Sequence, residues 1–296
     1  MSRIVLSIIF ASFLFVGFDV YSGEVQYDPV SMDPPVPDPA FPPVLHELLI
    51  PSHDVMLSGI MLGANGAGPH PTALLLHGFP GNEKNLDLAQ SLRRAGFNVL
   101  FFHYRGAWGS QGDYTVGGQS EDVAAVIEYI QQNAERLRAD TKQLSIVGHS
   151  LGGFTALRAT AQSKELNCVV GIAAYNFEPE ASYTEEQVKG RNAYFDSLFM
   201  LQNLTGAKMT LEAAENTEAF DTRNLAPKLS GKSVLLVAAS EDKAVPPEMQ
   251  SRVVTAYETN PDINLKAEVI PGDHAFSISR IRLQRLVIDW MNSNCR

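Results

Sequence analysis

Short runs of consecutive apolar residues alternate along this chain with segments whose apolar positions recur every three or four residues. Beside a further strand-like segment at 265–270, the runs at 73–76, 99–102, 144–147, 169–173 and 234–237 are rich in Val, Leu, Ile and Phe and show no in-out alternation. That pattern predicts strands buried on both faces. Between them lie helical patterns at 86–95, closed by Gly96, at 123–137 through Val123, Val126, Ile127 and Ile130, and at 151–161, 247–257 and 277–291. Ahead of them, 46–50 and 55–61 flank Pro51-Ser52-His53-Asp54 and read as an antiparallel hairpin, followed by a Gly/Pro-rich loop at 63–71. Strand–helix alternation of this kind predicts an α/β fold, a mostly parallel central sheet with helices on both faces. One stretch breaks the rhythm. From 175 to 227 no strand is legible, only helix-leaning sequence at 185–201 and 211–219. An insertion of that length at about 176–226 predicts a helical lid, or a helical excursion that covers the sheet.

The amino terminus follows a different rule. Arg3 precedes an apolar stretch at 4–16, and Ser22-Gly23 offers a small-residue exit. This is the layout of a secretory signal over 1–22, and the stretch falls short of the roughly 20 residues a span requires. Cleavage would leave an exported chain, periplasmic or secreted, with no integral membrane span; an uncleaved segment would leave an N-terminal anchor. Seven of the 17 prolines fall between 28 and 43, so 23–43 reads as an extended lead-in on the surface, and the domain proper as 44–296. Cys168 and Cys295 sit in no metal-binding spacing and are compatible with one bridge after export or with two separate thiols.

Composition narrows the partners. Of 296 residues, 45% are hydrophobic and 19% charged, an ordinary globular balance. The formal net charge of −10, with no cluster of Lys and Arg, excludes nucleic acid as a partner. The insertion is itself acidic, with nine carboxylates against four cations between Tyr175 and Leu225, which disfavours an anionic headgroup near it. Phe195, Leu198, Phe199, Met200 and Leu201 form an apolar face there that either packs the lid or holds an acyl chain. No internal repeat is present, and the sequence carries no signal for an oligomeric state.

The sharpest chemistry lies in Gly148-His149-Ser150-Leu151-Gly152, between a predicted strand and a predicted helix. A serine hydroxyl becomes a nucleophile when it is exposed to substrate beside a base. Small residues two before and two after it allow the strained turn that provides the exposure. The N–H of Leu151 then opens a helix, where free donors favour developing negative charge. Further motifs are His77-Gly78-Phe79-Pro80-Gly81 after one buried strand, and Phe102-His103-Tyr104-Arg105-Gly106 with Gly109-Ser110-Gln111-Gly112 after the next.

From about His46 to its end the chain resembles the α/β-hydrolase fold family, serine esterase or lipase-like, closest to dienelactone-hydrolase-like and prolyl-oligopeptidase-like members. The resemblance implies an oxyanion hole made of the N–H groups of Phe79 and Leu151. It implies a pocket wall shaped by the Tyr104–Gly112 loop, with Tyr104 and Trp108 as candidate lining residues beside Phe195 and Phe199 of the lid, and Arg105 in structural hydrogen bonds. In this family's chain order the acid follows the nucleophile. Ser240-Glu241-Asp242-Lys243-Ala244-Val245-Pro246 resembles the acid loop, and the Asp-x-x-x-Pro spacing selects Asp242 over Glu241. The base is His274 in Gly272-Asp273-His274-Ala275-Phe276, since imidazole changes protonation near working pH and His274 alone of the seven histidines follows the acid. Asp273 is expected to bond backbone, and His77, His103 and His149 to pack beside their motifs.

Ser150, Asp242 and His274 thereby predict a serine hydrolase acting through an acyl-enzyme on a small-molecule ester or acyl substrate, with no metal or organic cofactor required. A serine at this position is at odds with the dehalogenase branch, which carries Asp there. A peptidase of prolyl-oligopeptidase-like type is the competing activity, although such peptidases usually carry a β-propeller ahead of the hydrolase domain, for which residues 23–43 leave no room. A non-catalytic binding protein keeping the fold is the third reading, and it predicts a damaged set of site residues.

Overall fold

A computed structural model of the chain describes residues 26–34 and 36–296; the leader expected at 1–22 lies outside them. Eight strands form one sheet: β1 Val44–Ser52, β2 Val55–Gly63, β3 His70–Leu76, β4 Asn98–Phe102, β5 Ala139–His149, β6 Leu166–Ile172, β7 Ser233–Ala239 and β8 Asn264–Ile270. Their spatial order is 1-2-4-3-5-6-7-8. The first two strands are the expected hairpin, joined through His53-Asp54 with Ser52 opposite Val55, and β2 pairs antiparallel with β4. All later pairings are parallel. The crossovers that parallel pairing demands are supplied by α1 Leu86–Arg94, α2 Gly118–Gln132 with the single turn α3 Ala134–Leu137, α4 Leu151–Gln162 and α7 Pro247–Glu258, and α8 Arg280–Asn294 closes the chain after the last strand.

The continuous apolar runs are explained by cover on both faces. Along β3, Leu74 and Leu76 enter a core built with Val123, Ile127 and Ile130 of α2, Leu157 of α4 and Val253 of α7. Ala73 and Leu75 point the other way, into a core with Leu88 and Leu92 of α1 and Leu283, Val287 and Met291 of α8. The single helix expected at 123–137 is interrupted at Asn133, and the second piece ends on Arg138 in the left-handed region at φ 52°.

Between β6 and β7 the insertion holds a 3₁₀ turn at Glu178–Ser182, helices α5 Glu185–Asp196 and α6 Gly206–Glu215, and a second 3₁₀ segment at Thr222–Leu229. Thr184 and Gln187 close a capping box at the start of α5. Both helices end earlier than the apolar spacing alone predicts: the chain turns after Asp196, whose carboxylate accepts from the N–H of Gly206 at 2.7 Å. The insertion is stitched to the body. Gln202 N–H donates to the Gly106 carbonyl at 2.7 Å and Trp108 N–H to Met200 at 3.0 Å, while the Glu212 carboxylate accepts from the N–H groups of Val116 and Gly117 at 3.0 and 2.7 Å.

The proline-rich lead-in does more than lie on the surface. A proline carbonyl still accepts although its nitrogen cannot donate, and Arg94 Nε donates to Pro29 at 2.6 Å. Tyr27 hydroxyl reaches the Arg94 carbonyl at 3.0 Å, and Val30 is buried in the core beside α1. The two cysteines are joined: Cys168 on β6 is bridged to Cys295 just past α8, with Cα atoms 5.3 Å apart and a sequence separation of 127. A bridge over so long a loop restricts the unfolded chain strongly. Reduction, or Cys295→Ser, should therefore lower the unfolding free energy by about 4–5 kcal/mol. A urea midpoint that stays put on reduction would show that the bridge contributes nothing.

Candidate active site

The parallel strands deliver their carboxyl ends to one edge of the sheet, where open α/β sheets bind ligands. Ser150 lies there, between the end of β5 and the first turn of α4, at φ 57° and ψ −123°. A side chain rarely adopts that backbone, and it persists only where the surroundings over-determine it. Here they do. Ser150 N–H donates to Ile172 of the neighbouring strand at 2.9 Å, and its carbonyl accepts from Gly153 at 2.9 Å and Tyr175 at 3.0 Å. A Cβ on Gly148 would stand 2.0 Å from the Gly152 carbonyl oxygen, and one on Gly152 would stand 2.5 Å from the carbonyl oxygens of Leu76 and His77. Both glycines are thus demanded by close backbone approach, as the motif spacing predicts.

Asp242 and His274 follow β7 and β8. The Asp242 side chain is fully buried. One of its oxygens accepts from the N–H groups of Ala244 and Val245, each at 2.8 Å. The other accepts from His274 Nδ1 at 2.7 Å. Since the carboxylate can only accept, Nδ1 is the donor of this hydrogen bond. Glu241 makes no such contact: its backbone N–H donates to the Gly272 carbonyl. Asp273 turns away and accepts from the Ser277 N–H and hydroxyl at 2.9 and 2.8 Å.

Three further histidines brace this edge from behind. His149 packs its ring 4.6 Å from that of His274 and donates through Nε2 to the His274 carbonyl at 2.8 Å. Burial above all, with His274 beside it, holds its pKa down to about 3, so it stays a neutral donor. His77 donates through Nδ1 to the Gly78 carbonyl at 2.8 Å, and burial lowers it to about 4. His103 stacks on Trp108 and is lowered by burial to about 3.

Ser150, Leu151, Phe79 and His274 line one cavity of about 420 Å³ under the insertion. The loop carrying Phe79 runs against the Ser150 turn: a Cβ on Gly78 would meet Ser150 Cβ at 2.7 Å. Phe195 lines the cavity as expected and packs edge-on against Phe79 at 5.0 Å. The other three pocket candidates do not line it. Tyr104 is fully buried and donates its hydroxyl to the His77 carbonyl at 3.3 Å; its ring sits behind the Phe79 loop because β4 runs beneath that loop. Trp108 donates from Nε1 to the Pro80 carbonyl at 2.7 Å and lies under Lys84 at 4.8 Å, so it fixes the same loop from outside. Phe199 is 93% exposed, since the chain beyond α5 turns back to the body and leaves that side chain on the outer face. Arg105 is structural: its Nε and backbone N–H both donate to the buried Asp122 carboxylate.

The remaining cavity residues escape the sequence reading. Tyr175, Phe177, Tyr183 and Tyr194 add four rings, and Glu180 with Arg191 adds a charge pair. The one available signal was the density of aromatics between 175 and 195, which has no helical period because the loops on either side of a 3₁₀ turn carry most of them. Among the described residues no group of three or more His, Cys, Asp or Glu side chains is placed to hold a metal ion, and no helix is long and apolar enough to cross a membrane.

Known proteins share this architecture. The family model for the alpha/beta hydrolase fold matches residues 71–198. An uncharacterized 31.7 kDa protein from the traX-finO intergenic region of Escherichia coli is 32% identical over 111 residues, 36% of this chain and 38% of that one. Esterase EstD of Thermotoga maritima is 27% identical over 171 residues, 55% of this chain and 40% of the esterase. The chain thus spans about two fifths of the length of these curated relatives. Among solved structures, Est1E of Butyrivibrio proteoclasticus with ferulic acid bound superposes with a TM-score of 0.67 at 19% identity, covering 83% of this chain and 98% of Est1E; at that identity the likeness is one of fold. Strand order, the strained turn at Ser150 and these matches agree that the chain has the α/β-hydrolase fold.

Proposed function

We infer that this α/β-hydrolase-fold chain is an exported serine hydrolase that cleaves carboxylic esters through an acyl-enzyme. The observation that carries the reading is the joint placement of Ser150 and His274 on one cavity, with His274 held by Asp242 at 2.7 Å. In this reading Ser150 attacks the ester carbonyl and His274 Nε2 takes its proton. The buried Asp242 keeps Nδ1 protonated, orients the ring and stabilises the imidazolium as it forms. His274 then protonates the leaving alcohol, and water repeats the sequence to release the acid. The N–H groups of Phe79 and Leu151 are assigned to the oxyanion; a preorganised donor of this kind is typically worth about 10²–10³ in rate. Export is supported by the leader-like residues 1–22 and by the Cys168–Cys295 bridge, since disulfides persist in oxidising compartments.

A fluorophosphonate probe should label Ser150 of the folded protein, and a p-nitrophenyl ester series run beside aminoacyl-nitroanilides should show faster ester cleavage. Faster amide cleavage would establish the peptidase reading instead. Absence of label on folded protein would leave only a binding protein that keeps the fold.

A further inference from the structure

Beyond the reacting groups, the cavity has an unusual lining. Six of its fourteen lining residues are aromatic: Phe79, Tyr175, Phe177, Tyr183, Tyr194 and Phe195. Phe79, Tyr194 and Phe195 pack ring on ring, as do Tyr175 and Phe177, with centroids 5.0–5.8 Å apart. A wall of ring faces and edges favours a flat aromatic guest over a flexible alkyl chain, through offset and edge-on contacts and a low ordering cost.

The cavity's two opposite charges already face each other. Arg191 Nη1 lies 2.5 Å from Glu180 Oε2, with the two side chains only 16% and 11% exposed. The other Glu180 oxygen accepts from the Tyr175 hydroxyl at 2.7 Å, a phenol that burial and the Glu180 charge keep protonated. Arg191 also donates to Thr210 Oγ1 at 3.1 Å and lies against the rings of Tyr183 and Phe195. An anionic guest would have to compete with Glu180 for the guanidinium, and a cationic guest with Arg191 for the carboxylate. Either leaves a largely buried charge without its partner, which is costly.

The geometry points to a preference for uncharged aromatic esters, with the Glu180–Arg191 pair as the element that rejects substrates of either charge. This rests on the ester-hydrolase reading above and narrows its substrate class.

The test is a series of methyl 3-phenylpropanoates carrying para-methoxy, para-carboxylate or para-trimethylammonio groups, with methyl hexanoate as the alkyl comparator. The methoxy ester should exceed both charged rings in kcat/KM by about 10²-fold, and the hexanoate by about tenfold. Glu180→Gln leaves Arg191 uncompensated and should raise the carboxylate-to-methoxy ratio about tenfold, while Arg191→Met should do the same for the trimethylammonio ring. These are ratios within one protein, so partial loss of folded enzyme cancels. Ratios that stay flat in the wild type, or that neither variant moves, overturn the proposal while fluorophosphonate labelling of Ser150 remains; loss of labelling overturns the hydrolase reading with it.

Discussion

Ser150→Ala should lower kcat/KM for a p-nitrophenyl ester by about 10⁵–10⁶-fold while the melting temperature stays within a degree or two. The size of the loss follows from the roles assigned to the three side chains. Without the hydroxyl no acyl-enzyme forms, and His274 has no proton to take. Only binding and the Phe79 and Leu151 N–H groups would remain to help water attack directly. The small thermal effect follows from the backbone. The φ of 57° at Ser150 is imposed by its hydrogen bonds to Ile172 and Tyr175, and alanine occupies the same conformation with the same Cβ. Nucleophile and base act as one unit, so Ser150→Ala/His274→Ala should be no slower than Ser150→Ala alone. A double variant that loses a further large factor, or a single variant that keeps a tenth of wild-type turnover, would assign the chemistry elsewhere.

The parts of this site that were legible before the structure share a physical origin. Ser150 and Asp242 each follow a strand whose apolar run announces it, His274 follows the largely exposed strand β8, and each sits in a turn marked by glycines or a proline. Gly148 and Gly152 are a steric requirement written into the sequence, because any Cβ there collides with main-chain carbonyls. The sheet was legible for the same reason: burial on both faces leaves β3 to β7 no choice but unbroken apolar runs. What stayed hidden depends on long-range packing. Tyr104 and Trp108 stand in a loop that borders the site in sequence, yet their hydroxyl and indole N–H point at the carbonyls of His77 and Pro80. Nothing in local spacing says on which side of the loop a ring will fall. The Glu180–Arg191 pair joins a 3₁₀ turn to α5, eleven positions apart, and no helical or strand period relates them. His149 is intermediate. Its neighbourhood to Ser150 predicted a packing role, but only the fold reveals that it holds the His274 carbonyl.

Those braces have a cost that acid should expose. The protein should lose stability steeply as pH falls from about 6.5 toward 4, by an amount set largely by His77 and His149. Both are almost fully buried, at 1% and 3% exposure, and burial lowers their folded pKa values to about 4 and about 3. In the unfolded chain a histidine titrates near 6.5. Below that value the unfolded state therefore binds protons that the folded state refuses, and unfolding gains about 1.4 kcal/mol per pH unit for each such group. The contribution is intact above the unfolded value and is lost as pH drops toward the folded ones. At pH 5 the two residues together remove on the order of 4 kcal/mol, a large part of the 5–15 kcal/mol typical of a folded domain. His103, also held down by burial, acts in the same direction. Urea midpoints measured between pH 7.5 and 4.5 should fall accordingly at nearly constant slope. His149→Gln keeps a donor for the His274 carbonyl but removes one titrating group, so its curve should be shallower than wild type below pH 6 even if its stability at pH 7.5 is lower. Equal slopes in the two proteins would mean that His149 is protonated without cost in the folded state, and the neutral brace described for the catalytic edge would have to be abandoned.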